Sequence, residues 1–188
     1  MGIGMIKAIL MLVVLFFSGC TGTQIKVSPD PANMSSNYQQ SRYDTVGVSS
    51  LNSSSGQMSE GFSNTLKTSG FAKKSLYPLR ADDKPDLTIE TDFKVSSNEN
   101  TGSNFTKSFF TGFTLFLLEP VFWYDFDYTV EASAIVTKAG NRVGRYEAKA
   151  DATVSVKWLN LRDLKEQAPK ALGEAQKSVY YQLMNQIR

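Results

Sequence analysis

The sequence predicts an α+β fold, a two-layer sandwich in which a mostly antiparallel sheet of about five strands carries two helices on one face. Three observations lead there. Residues 127–137 and 145–158 alternate apolar and polar side chains, and Ala139-Gly140-Asn141-Arg142 between them is a hairpin signal. Met58, Phe62 and Leu66 recur at helical spacing, as do Leu172, Ala175, Val179, Leu183 and Ile187. The chain of 188 residues is 41% hydrophobic and 20% charged, enough apolar material to fill one core.

The elements follow in chain order. Residues 20–43 are rich in Ser, Pro, Asn, Thr and Gln and show no apolar period, so they read as a flexible tether ahead of a single domain over 44–188. Val46, Val48 and Leu51 predict a short strand. Ser53-Ser54-Ser55-Gly56 opens the first helix, with Ser54 and Gln57 spaced as a capping box and Gly70 as its stop. Phe71 to Leu79 predicts a second strand, ended by Pro78 and the turn residues 81–85. Leu87, Ile89, Phe93 and Val95 alternate with Thr88, Glu90, Asp92 and Lys94 in a third strand. Ser96 to Ser108 reads as a polar loop broken by Phe105. In the last two strands Tyr128 to Val136 and Tyr146 to Trp158 share an apolar face whose many alanines leave room for a helix to approach. The final helix is expected from Pro169 to Ile187.

Composition narrows function. There are 20 basic and 18 acidic residues, a formal charge of +2, which argues against a nucleic-acid partner. There is no histidine, which removes Ser-His-Asp triads, Cys-His dyads and histidine-ligated zinc. One cysteine, Cys20, leaves no intrachain disulfide. No GxSxG elbow occurs, and the general acids and bases form no recognisable arrangement, so no enzyme, cofactor or metal is expected. Asp82, Asp83 and Asp86 lack the spacing of a calcium loop and read as a solvated turn. Arg142, Arg145 and Lys149 give mild basicity to one strand face.

Residues 1–19 read as a targeting segment: Lys7 precedes the apolar run Ala8–Phe17, which is shorter than the roughly 20 residues of a spanning helix and suits a secretory signal. The run closes on Phe17-Ser18-Gly19-Cys20, which resembles the lipobox of bacterial lipoproteins, with Phe17 where that family prefers Leu. The resemblance implies cleavage before Cys20, diacylglycerol and a further acyl chain such as palmitate on that residue, and a membrane partner through this lipid anchor. Two or more chains anchor stably where one does not. Thr21, where an Asp would favour inner-membrane retention, implies the periplasmic side of the outer membrane of a Gram-negative cell. The topology expected over 44–188 also resembles small envelope lipoproteins whose domain is like the periplasmic domain of the curli secretion-channel lipoprotein. No residue motif carries that second resemblance, and no functional residue is transferred from it.

The segment 109–124 is densely apolar, with seven large apolar residues in 109–118, an interruption at Glu119-Pro120 and a resumption over 121–124. Three readings stay open: buried core, a surface that meets a partner protein or a second copy, or an element that dips into the membrane. The candidate contact residues are Phe109, Phe110, Phe113, Phe116, Leu117, Phe122 and Trp123. The function expected is therefore a non-enzymatic binding or assembly module of the cell envelope, meeting an envelope protein or itself through 109–124. Two other readings are a glycan- or peptidoglycan-binding module that uses the aromatic and acidic patch 123–128, with Asp125 and Asp127 as its carboxylates, and a structural homo-oligomer. Mass spectrometry of the envelope fraction is expected to find Cys20 acylated and N-terminal; an unmodified residue 20 there would refute the lipobox reading.

Overall fold

The computed structural model describes residues 22–34, 41–98, 100–113, 122–157 and 161–187. Among these residues the chain forms six strands and three α-helices: β1 (Gln24–Ser28), β2 (Tyr43–Ser50), α1 (Gly56–Thr68), β3 (Ala72–Leu76), β4 (Leu87–Asn98), α2 (Thr101–Phe113), β5 (Tyr124–Lys138), β6 (Asn141–Val156) and α3 (Leu161–Gln186). One sheet holds all six strands in the order β1-β6-β5-β4-β2-β3. The class is α+β, but the sheet corrects the expectation of about five mostly antiparallel strands and two helices. β2 runs parallel to both β3 and β4, while β4, β5, β6 and β1 pair antiparallel, so the sheet is mixed. A parallel neighbour needs a crossover, and α1 supplies it between β2 and β3.

The sixth strand comes from residues expected as tether. Ile25 and Val27 alternate with Gln24 and Lys26, a pattern too short to stand out beside Pro29 and Pro31. What recruits the segment is the free edge of β6. β1 covers that edge over Asp151–Ser155. Beyond β1, the side-chain amides of Gln182 and Gln186 donate to the carbonyls of Lys149 and Glu147, at 2.8 and 3.0 Å. The buried Ser178 hydroxyl donates to the Pro29 carbonyl at 2.7 Å and ties the end of β1 to α3. An edge left open would be a template for unwanted pairing.

The core lies between one face of the sheet and α1 with α3. Val130, Ala132, Ala134 and Val136 of β5 and Ala148, Ala150, Ala152, Val154 and Val156 of β6 are buried under α3. Ala171 and Ala175 face them from the helix, so small residues on both sides bring backbone close to backbone. The two helices and the sheet are keyed together by three rings. Phe62 of α1, Phe93 of β4 and Tyr180 of α3 stand at centroid distances of 6.3, 5.5 and 5.6 Å, two of the three pairs edge-to-face. The Tyr180 hydroxyl donates to the Met58 carbonyl at 2.8 Å, and burial pushes its ionisation upward. Gly61 makes this possible, because a Cβ there would stand 2.9 Å from that hydroxyl. A second, polar seam joins α1 to the sheet: Ser59 to Thr91 at 2.8 Å and Ser63 to Ser75 at 2.6 Å.

Several local expectations change. The capping box of Ser54 and Gln57 does not form; Ser53–Ser55 make a 3-10 turn, and the Ser55 hydroxyl donates to the Asn52 carbonyl instead of capping α1. The strand expected over Phe71–Leu79 is confined to β3. The final helix begins at Leu161 and contains Pro169, which removes one backbone bond from its N-terminal part. Leu164, packed partly against the core, holds that first part in place. The loop expected over Ser96–Ser108 is the end of β4 followed by α2.

Phe62→Ala should cost about 3–5 kcal/mol in urea unfolding, since the ring is fully buried and its place cannot collapse between two helices. Tyr180→Phe, which keeps the ring and loses one hydrogen bond, should cost about 1 kcal/mol in the same measurement.

Candidate functional site

The site lies at one end of the sheet, on the face opposite α1 and α3. The antiparallel register places Gln24, Ser155 and Asp125 in one row across three strands, and Lys26, Thr153 and Asp127 in the next. Alternation along β5 turns both aspartates to this outer face. The Ser155 hydroxyl donates to Asp125 Oδ1 at 2.7 Å, and the Thr153 hydroxyl donates to Asp127 Oδ1 at 2.6 Å. Each carboxylate keeps its second oxygen for α2.

α2 is clamped on those oxygens. The Asn100 amide, one residue ahead of the helix, donates to Asp127 Oδ2. Asn104 pairs with the backbone of Asp125 in both directions: its amide nitrogen donates to the Asp125 carbonyl at 3.0 Å, and its oxygen accepts from the Asp125 N–H at 3.3 Å. Lys107 donates to the Trp123 carbonyl at 2.6 Å and meets Asp125 Oδ2 at 3.3 Å. The Lys107–Asp125 pair is partly solvated, so its worth lies in geometry more than in Coulomb energy. Asn104 and Lys107, spaced i, i+3, occupy one side of the helix, and Asn100 grips the same strand just ahead of it.

The opposite side is apolar and wet. At about 100° per residue, Phe105 and Phe109 lie about 40° apart and some 150° from the clamped side. Phe105 is 70% exposed and Phe109 61%. The intrinsic propensity of Thr101–Phe113 is poor, with two glycines, three threonines and no alanine or leucine. Such a segment is helical because it is held, and what holds it are the side chains on the side away from Phe105 and Phe109.

The expected contact residues separate. Phe109 is on the exposed side of α2, and Phe110 and Phe113 belong to the same helix backbone. Phe116 and Leu117 lie outside the described residues, as does Cys20. Phe122 is half-buried against the core. Trp123 is half-buried at the sheet's end, with Lys157 Nζ 5.3 Å from its ring centroid in a cation–π contact. The aromatic and acidic patch 123–128 is divided by the pleat: Tyr124 is buried, and Phe126 and Tyr128 are packed against the core, on the other face from Asp125 and Asp127. Of the acidic turn, Asp83 accepts from the Arg80 N–H and Asp86 from the N–H groups of Asp44 and Thr45. Arg145 pairs with Glu147, and Lys149 with Glu131 and Asp151, on an exposed face of mixed sign. Among the described residues no group of three or more acidic, histidine or cysteine side chains is placed to hold a metal ion.

Sequence reasoning missed the clamp. Its signal was present as Asn100, Asn104 and Lys107 at helical spacing, set against Phe105 and Phe109, but Ser, Asn and Gly around it read as loop.

No family model matches the chain, and no curated protein matches it. Among solved structures it is similar to a minor lipoprotein from Acinetobacter baumannii, at 10% identity over 78% of this chain and 89% of that one, with a TM-score of 0.45. It is also similar to a PelC dodecamer from Paraburkholderia phytofirmans, at 12% identity over 86% of this chain and 98% of that one, with a TM-score of 0.33. With both scores below one half, these likenesses decide neither the fold nor the function of this chain.

Asn104→Ala combined with Lys107→Met removes the bonds to the Asp125 backbone and carboxylate and to the Trp123 carbonyl, and should release α2 while the sheet stays folded. Amide exchange over residues 104–113 is expected to quicken at least tenfold, with β4, β5 and β6 unchanged; unaltered protection of α2 would show that the clamp does not hold it.

Proposed function

We propose that this chain is a lipid-anchored protein of the bacterial envelope, held by acylated Cys20 on the periplasmic side of the outer membrane. Its domain acts as a non-enzymatic binding or assembly module, and the segment that opens with α2 and continues through 109–124 makes the contact. The supporting observation is the exposure of Phe105 and Phe109 on a helix fastened from its other side. Two large apolar side chains so displayed mark an interaction surface. The polar clamp favours the same reading: it sets the direction in which the phenylalanines face, which a helix collapsing into the core would not need.

The glycan reading draws less support, because Tyr124, Phe126 and Tyr128 lie on the face of β5 opposite Asp125 and Asp127, only Trp123 remains near the carboxylates, and both carboxylates are already bonded within the protein. In the native host, Phe105→Ser with Phe109→Ser is expected to keep the fold, the level and the acylation of the protein, and to fail to complement loss of the gene. Full complementation by that variant would remove the apolar segment as the working surface. Cys20→Ala is expected to move the protein from the membrane fraction to the soluble one.

A further inference from the structure

The beginning of the described chain and the phenylalanine-bearing helix meet at one point. A Cβ built on Gly22 would stand 4.0 Å from Cη2 of Trp123. The carbonyl of that same Trp123 receives the Lys107 ammonium of α2. Gln24, at the start of β1, lies in one register row with Ser155 and Asp125, the aspartate that Lys107 and Asn104 grip. Cys20 is two residues before Gly22, and two residues of chain reach at most about 7 Å. An acyl chain on Cys20 would therefore enter its leaflet beside Trp123 and α2, with no tether between them.

We infer that α2 lies in the membrane interface next to the lipid anchor, with Phe105 and Phe109 sunk among the lipids of the leaflet that holds the acyl chains of Cys20. This rests on the lipid-anchor reading above. The chemistry of the end of the domain fits a lipid surface on two counts. The helix is amphipathic, with Asn104 and Lys107 engaged by the protein and Phe105 and Phe109 exposed, the reverse of a helix that would bury its apolar side in the core. Trp123 stands beside it, an indole at the level where interfacial aromatics sit, with the Lys157 ammonium over its ring and the exposed Lys26 two residues along β1 from Gln24. α2 is about 20 Å long, short of the roughly 30 Å hydrocarbon core, and no helix among the described residues is long and apolar enough to cross, so the contact is one of lying on the leaflet.

The test uses the full chain in native membranes. A photoreactive amino acid replaces Phe105, Phe109 or Val143 in turn; Val143 is 56% exposed near the β5–β6 turn, about 40 Å along β6 from the clamp. After irradiation, mass spectrometry reads both the adduct and the state of Cys20. The expected result is a phospholipid adduct at 105 and 109 at least ten times that at 143, with Cys20 acylated. Acylated Cys20 with a protein adduct at 105 and 109, to a second copy or another chain, and no lipid adduct overturns the membrane contact while leaving the anchor standing. Acylated Cys20 with lipid labelling no greater than at 143 does the same. Unmodified Cys20 with strong lipid labelling at 105 overturns the anchor and keeps the helix on the membrane. Unmodified Cys20 without lipid labelling overturns both.

Discussion

Everything in this fold answers to the apolar face of the long β5–β6 pair. From Tyr124 to Val136 and from Ala148 to Val156, every second side chain is apolar and turned the same way. That face cannot stay in water, where each square ångström of it costs about 25 cal/mol. The final helix covers it, and the alanines on both partners set how near the helix comes. α1 then covers β2 to β4, and the rings of Phe62, Phe93 and Tyr180 join the two covers into one layer.

Covering one face leaves the other to a different fate along its length. Over most of the sheet the outer face carries interleaved charges, such as the row of Lys94, Glu131 and Lys149, and remains solvated. At the end where β5 begins, the same face carries Asp125 and Asp127 with Ser155 and Thr153 beside them. Here the sheet supplies acceptors for a helix that has little stability of its own. The outcome is a helix held by polar bonds and displaying aromatic rings, placed where the chain enters the domain. The two faces thus differ: α1 and α3 bury the core, while α2 is held from the outer face with Phe105 and Phe109 exposed.

The fold was legible where the signal was long. The hairpin of β5 and β6 spans two long alternating runs, and the stripes of α1 and α3 repeat through several turns, so each could be read from residues alone. Short or mixed signals were not legible. Ile25 and Val27 alternate over five residues in a stretch dominated by Pro, Ser and Asn, and become a strand because β6 has an edge to fill. Asn100, Asn104 and Lys107 look like loop residues until Asp125 and Asp127 give them partners more than 15 residues away. The aromatic and acidic patch read as one site along the chain, and the pleat of β5 sent its members to opposite faces.

The sequence by itself determined the α+β class, the apolar face of the main hairpin, the two helices of the covering layer, and the exclusion of histidine chemistry, because composition and local periodicity carry that information. Only the tertiary structure decided the parallel pairing of β2, the sixth strand, the helix over 101–113 and the outward aim of Phe105 and Phe109. Those features depend on partners distant in the chain, and neither spacing nor propensity records which distant carboxylate or strand edge a segment will meet.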